Sequence, residues 1–453
     1  MEEIKEKIDE LIKNKRMTKL RNLLDDVNSA DFPALFEELN QEEIAIIYRL
    51  LPKEKAAEVF AELDPDIQER LINLLTDKEL KSVVEDLFMD DTVDLIEEMP
   101  ANVVKRILKT IKAEDRKKIN ELLNFPEDSA GSIMTIEYVE LKENMTIEEA
   151  FKIIKETGIK KETVYNCYVT DNKKKLIGSV DIKEMLISER DTKVKDILDD
   201  NVISVLTTED KEEVAKLFDK YNFVALPVID KENRLVGIVT IDDAIDVLQD
   251  ENTEDFEKMA AIVPNEDTYF KTKAIVHAKN RIVWLLVLML SSTFTGLIIE
   301  KFQTAIAAVP LLATFMTMIS GTGGNCGAQS STLIIRGLVL NEIKFSDIFK
   351  AIWKEFRVAL IVGVILAAVT GLRIYLQYKG TLGLDETLKL AEVVGITLIL
   401  TAIIAEFMGC VLPMAAKKLK LDPAIMASPL ITTIVDLCSM LVFFNVATAI
   451  LKI

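Results

Sequence analysis

The chain has 453 residues, with 55 basic and 74 acidic side chains, one histidine and four cysteines. That acidic balance does not suit nucleic acid, whose phosphates would be repelled, and Ser/His/Asp or Cys/His catalysis would have only His277 to use. Cys167, Cys326, Cys410 and Cys438 show no CxxC spacing, so neither a disulfide framework nor a zinc site is indicated.

The charge is unevenly divided. Residues 1–270 hold 38 basic and 64 acidic side chains, net −26, whereas residues 271–453 hold 17 and 10, net +7. The first part reads as a soluble, cation-attracting region large enough for two domains. It opens MEEIKEKIDELIKNKRMTKL, charged throughout and without a signal peptide, so a cytoplasmic location is expected.

Residues 40–123 repeat with a period near twelve: NQEEIAIIYRLL, PKEKAAEVFAEL, DPDIQERLINLL, TDKELKSVVEDLF, MDDTVDLIEEM, PANVVKRILKTI, KAEDRKKINELL. Each unit opens on a helix-start signal and closes on apolar residues. None can bury its apolar face alone, which predicts a stacked all-helical, short-helix solenoid.

After Phe125-PEDSAGSIM the pattern turns to alternating strands and helices, in two copies. Lys175-LIGSVDIKEML-Ile187 and Arg234-LVGIVTIDDAI-Asp246 align at an offset of 59, with Gly178 and Gly237 equivalent. Upstream, Asn166-CYVTD-Asn172 matches Ala225-LPVID-Lys231. Over about residues 134–258 this resembles a tandem pair of α/β CBS modules. Such pairs sense adenine nucleotides or ions and rarely catalyse.

An acidic helix follows from Asp242 toward Pro264. Asp243 and Asp246 are one turn apart, and Glu251, Glu254 and Asp255 share roughly one face. Like charges so placed repel. A divalent cation would relieve them; a solvated linker face is the other reading.

Five apolar runs are long enough to cross a bilayer: near Ile282–Ile299, Ala305–Ile335, Ala359–Tyr375, Val393–Ala416 and Pro429–Leu451. The loops before the first, between the second and third, and between the fourth and fifth are the basic ones, which puts the N-terminal part in the cytoplasm. The second run holds Pro310 and then Ser320-GTGGNCGAQSST-Leu333. Irregular backbone at that depth must be buried or line a water-filled cavity. The amide oxygens of Asn325 and Gln329 suit hard cations, although small residues also serve plain helix contact.

Asp436 stands in the last run, Pro429-LITTIVDLCSMLVFFNVATAIL-Lys452, with no basic residue between it and Lys452. A carboxylate at bilayer depth costs about 2.5–3.5 kcal/mol on insertion scales, so its default reading is a site on an ion or proton path. The bland alternative is a protonated Asp bonded to a neighbouring span. Glu406 in the fourth run is open to the same two readings.

In order, Pro126-EDSAGSIMT-Ile136, Gly321-TGGNCGAQ-Ser330 and Asp422-PAIMASPLITTIVD-Leu437, with the helical repeats, CBS pair and five spans, resemble the MgtE family of magnesium channels from about residue 20 to the end. The resemblance implies a helical domain over 1–125, a CBS pair over 126–250, a connecting helix over 251–275 and a five-helix pore domain over 276–453. It implies a homodimer in the cell membrane, with Asp436 of both subunits on the pore axis holding hydrated Mg²⁺ and backbone carbonyls near Thr432 one turn earlier. It also implies closure by intracellular Mg²⁺. The matching acids are Glu58, Asp90 and Asp94, then Asp210, Glu212, Asp243, Asp246, Glu251, Glu254 and Asp255, with Asp422 facing the connecting helix. Asn222 departs from a position that is usually acidic. ATP is a candidate regulator at the CBS cleft. The competing function is a secondary magnesium transporter coupled to Na⁺ or H⁺ through Asp436 or Glu406. A membrane-tethered enzyme or nucleotide sensor is third, disfavoured by the single histidine and the lack of a Walker-type loop.

Overall fold

The computed structural model describes residues 2–265, 269–426 and 428–452. It divides into two compact units, Met1–Gln249 and Asp250–Ile453.

In the first unit, helices Glu2–Lys13, Met17–Asp25 and Phe32–Glu37 precede the repeats, which form seven short helices from Gln41–Leu50 to Ala113–Leu122. Their starts follow the expected chemistry. Asn40 and Thr76 each close a capping box with the Glu three residues on, and Pro52, Pro65 and Pro100 open three others. Helices of about ten residues are marginal alone. Each therefore buries an aliphatic face, for example Ile44 and Ile47, Leu71 and Ile72, Leu95 and Ile96, or Val103 and Ile107, in one continuous core.

The CBS copies form two three-stranded sheets of the same order. Glu140–Lys142 pairs parallel with Asn166–Thr170, which pairs antiparallel with Leu176–Asp181; Val205–Leu206, Ala225–Ile229 and Leu235–Thr240 repeat this. The hairpin turns match as well. Asp171 accepts from the Lys173 and Lys175 N–H groups, and Asp230 from those of Glu232 and Arg234. Gly178 and Gly237 are fixed by close approach: a Cβ there would lie 2.3 Å from the Asp199 carbonyl oxygen and 2.7 Å from that of Thr135. The second copy shares the core of the helical repeats through Val214, Phe218, Leu226 and Val239, while the first has its own around Leu141, Val169 and Val180.

Helix Lys211–Tyr221 ends at Asn222, whose φ of 55° is left-handed and whose N–H donates to the Phe218 carbonyl. Asn is among the few non-glycine residues at ease there, so backbone geometry accounts for Asn222. The acidic segment is helical over Ile241–Met259 and no further: no helix lies within 260–273 among the described residues, and 266–268 lie outside them.

In the second unit, four helices among the described residues are long and apolar enough to cross a membrane: Ala274–Lys301, Phe345–Tyr378, Leu384–Lys418 and Pro423–Leu451. The helix Leu312–Val339 has the length, at 28 residues, but its polar segment dilutes its apolar character. Two expectations for this run change. It begins not at Ala305 but after a break between Ala308 and Leu312, where Pro310 has no N–H to continue a helix. The segment from Ser320 to Ser331 is unbroken α-helix, because its glycines admit a neighbouring helix instead of opening the backbone. Phe443 and Phe444 anchor the core of this unit with Leu312, Phe315, Val393 and Leu398.

Candidate ion path and sensing acids

Helix Met89–Glu98 opens MDDTVD, placing Asp90 and Asp91 in its first turn and Asp94 one turn on. Its Met89 N–H donates to Glu137 Oε2 at 2.8 Å, joining the helical repeats to the segment that leads into the CBS pair. Burial raises Asp90 and pushes Asp91 up to about 8, with Asp90, Asp94 and Asp243 adding repulsion. Burial and then Asp90 lift Asp94 to about 7. Asp243, at the start of the helix Ile241–Met259, rises to about 7 through burial and repulsion from Asp90 and Asp242, although it accepts from Thr240 Oγ1 at 2.6 Å. Glu162 is driven to about 9 by burial and then by Asp90, Asp91, Asp242 and Asp243, and its Oε2 is buried with no hydrogen-bond partner within the chain. Asp91 and Asp94 also line a cleft of ≈ 210 Å³ with Glu62, Asp64 and Glu98.

These acids are gathered but not converged. Among the described residues no three Asp, Glu, His or Cys side chains close on one point as direct ligands.

The other expected sensing acids are placed differently. Glu58 accepts from the Ser29 hydroxyl at 3.0 Å. Asp210 caps its helix by accepting from the Glu212 N–H, and Glu212 pairs with Lys216 at 2.6 Å. Neither Asp210 nor Glu212 is among the groups that raise Asp90, Asp91, Asp94 or Asp243. Asp246, Glu251 and Asp255 all lie on the acidic helix. Glu254 pairs with Lys258, which also binds Asp422 at 2.8 Å. An ammonium thus sits between two acids expected to attract an external cation. Burial works against that charge, but the hydrogen bonds it donates to Asp422 and Glu254 raise Lys258 overall. Asp422 Oδ1 meanwhile accepts from the Ala424 N–H, capping the turn Pro423–Met426 ahead of the last span; Ala427, within that motif, lies outside the described residues.

Asp436 lies on helix Ser428–Leu451, half-buried. Ser320 lies beside its carboxyl, and its Oδ1 is buried without a hydrogen-bond partner inside the chain. The polar segment packs against this helix closely: a Cβ on Gly323 would lie 2.8 Å from Ser439 Oγ, and one on Gly324 would lie 2.7 Å from Thr432 Cγ2. Thr432 is one turn before Asp436, on the face that meets Gly324. Asn325 and Gln329 are exposed on the single chain, and no hydrogen bond joins Asn325 to Asp436.

Several residues escape sequence reasoning. Asp91, Asp242 and Glu162 enter the cluster only through tertiary contact, and nothing local to Glu162 announces it. Lys258 was readable, since it follows Glu254 at the i, i+4 spacing that favours Glu-to-Lys pairs.

A cytoplasmic part carrying a CBS pair and an acidic cluster, followed by apolar spans with a carboxylate inside one, defines a multi-pass membrane protein that handles cations. The comparisons with known proteins agree. Residues 316–446 match the family described as divalent cation transporter, 27–128 the MgtE intracellular N domain, and 130–189 and 194–250 the CBS domain. The chain is 34% identical over 437 residues to the magnesium transporter MgtE of Thermus thermophilus, covering 96% of this chain and 95% of that one. It is also 34% identical over 440 residues to the Bacillus subtilis protein of the same name, covering 97% and 95%. Two solved structures resemble the cytoplasmic part. One is the cytosolic domain of the Mg²⁺ channel MgtE in complex with ATP, at TM-score 0.50 and 36% identity, covering 53% of this chain and 98% of that one. The other is the soluble part of a magnesium transporter, at TM-score 0.52 and 30% identity, covering 55% and 99%. The chain belongs to the MgtE family of magnesium transporters.

Proposed function

We propose that this protein is a Mg²⁺-selective channel for magnesium uptake, working as a homodimer and closed by intracellular Mg²⁺. The observation that carries the reading is Asp436, an acid within a span with one buried oxygen left without a partner in its own chain. Two copies meeting on an axis would bring two such carboxylates together. Their repulsion is relieved by one divalent ion between them, and carboxylates with neighbouring backbone oxygens near Thr432 suit an ion that keeps most of its water.

Closure is a linkage. Ions that bind only the closed form each add RT ln(1 + [L]/Kd), about 1.4 kcal/mol at tenfold excess over Kd, and several such ions multiply their effect. The raised acids Asp90, Asp91, Asp94, Asp243 and Glu162 support this role, because a cation relieves a repulsion that burial has already made costly. ATP is a candidate regulator at the CBS pair, a reading supported by the ATP-bound cytosolic domain of a relative.

The test is Mg²⁺ current through reconstituted protein under a voltage step without any Na⁺ or H⁺ gradient. Current is expected in the wild type and is lost in Asp436→Ala while the variant still folds. Flux that needs a counter-ion gradient would instead identify the coupled transporter, and undiminished flux in Asp436→Ala would remove Asp436 from the path.

A further inference from the structure

Inside the membrane unit two glutamates face each other. Glu355 lies on the helix Ile348–Tyr378 and is 8% exposed; Glu406 lies on the helix Leu384–Lys418 and is 4% exposed. Their carboxyls are neighbours. From the helix Leu312–Val339, the buried Ser330 places Oγ 2.8 Å from Glu355 Oε2 and 3.2 Å from the Glu406 carbonyl oxygen, beside the Glu406 carboxyl. Among the described residues no Lys, Arg or His pairs with either acid. The other titratable groups facing them are Cys326 on the Ser330 helix and Cys410 on the Glu406 helix.

The hydrogens do not balance if both acids are ionised. An ionised carboxylate only accepts, so two of them side by side have no hydrogen to share and repel. Ser330 brings a single hydrogen, and Glu355 Oε2, the Glu406 carboxyl and the Glu406 carbonyl all compete for it. Glu406 is more than nine-tenths buried. One additional proton completes the network: one carboxyl donates to the other, and the serine hydroxyl serves a remaining acceptor.

We propose that Glu355 and Glu406 form a proton-binding site that pins three membrane helices together, the two carboxyls sharing one proton beside Ser330. The helices have no slack at this point. One turn beyond Glu406, a Cβ on Gly409 would lie 2.5 Å from the Gly327 carbonyl oxygen and 2.8 Å from Ser330 Cβ. Loss of the proton leaves two like charges in a dry interior, which can separate only by moving the helices. Ser330 shares its helix with the glycines packed against the Asp436 helix, so the strain is delivered beside the ion path.

Infrared difference spectra of the full-length protein in lipid nanodiscs test this without reference to transport. At neutral pH the wild type is expected to show a carboxylic-acid carbonyl band that shifts in D₂O and disappears in Glu406→Gln, where the amide donates to Glu355 in place of the shared proton. Mg²⁺ uptake into proteoliposomes is the second arm. Raising the pH into the alkaline range changes wild-type uptake several-fold beyond any change in Glu355→Gln/Glu406→Gln, which cannot lose the proton. The cytoplasmic acids are common to both proteins and cancel. If the double variant does not fold, Glu406→Gln serves both arms, with its melting temperature as the control. A wild-type spectrum with no such band, or identical pH profiles in wild type and variant, overturns the proposal. So does stabilisation of the pair by Na⁺ in the absence of the band, which would make the ligand a metal ion.

Discussion

Asp91, Asp94, Asp243 and Glu162 are held near 8, 7, 7 and 9 by burial and mutual repulsion, and this sets a direction for stability. In the unfolded chain these groups titrate near 4, so between about pH 4 and 9 the folded state binds more protons than the unfolded one. Stability without divalent ions therefore falls as pH rises through that window, each unit of displacement being worth about 1.4 kcal/mol per group. The melting temperature of the metal-free protein is expected to drop from pH 5 to pH 8, and added Mg²⁺ to recover most of the loss. Asp243→Asn should flatten the slope and shrink the recovery. A pH profile unchanged in that variant would remove Asp243 from the cluster. Sequence alone shows that this chain is rich in acids; it does not show which are buried. Glu162 and Asp243 are 81 positions apart in the chain and meet only through tertiary contact, whereas Asp210 and Glu212, which the resemblance groups with Asp243, also serve a helix cap and an ion pair.

Among the elements, the most legible were those with internal repetition. The twelve-residue period and the 59-residue offset both report units that cannot bury their apolar faces without a neighbour. The glycine segment of Leu312–Val339 was less so, because glycine equally signals a broken backbone and a close helix contact. The glycines at 178 and 237 show the second kind of constraint within the sheets. Gly178→Ala forces a Cβ to 2.3 Å from a backbone oxygen, and overpacking of this kind costs typically 1–3 kcal/mol. A melting temperature lowered by several degrees is expected, with less effect at Gly237, where the backbone oxygen is at 2.7 Å and a Met134 side chain can yield. Gly409→Ala is predicted to be worse for function than for fold, since it wedges the Ser330 helix away from the Glu406 helix; uptake should fall further than expression does.

For the whole molecule, the charge division along the chain was visible at once, and with it the separation of a cation-attracting cytoplasmic part from the apolar spans. What it could not reveal was the second partner of Lys258, Asp422, which makes it a cation the chain supplies to itself between two acids. Partly exposed pairs of this kind contribute about 0.2–1 kcal/mol, enough to bias a gate without locking it. Lys258→Met leaves the two acids facing each other with no internal counter-charge. Flux at very low Mg²⁺ should rise by a small factor and closure should become more dependent on Mg²⁺, whereas Lys258→Arg keeps the wild-type response. Equal Mg²⁺ titration curves for wild type and Lys258→Met would show that the ammonium has no part in gating.

The raised carboxyls also make a calorimetric statement. At neutral pH Asp91 retains most of its proton and Asp94 and Asp243 about half of theirs, so a cation entering the cluster must expel hydrogen ions into the medium. The heat measured on adding Mg²⁺ will then contain the ionisation enthalpy of whichever buffer receives them. Titrations in phosphate and in Tris should give different apparent enthalpies, and the slope against buffer enthalpy counts the protons released.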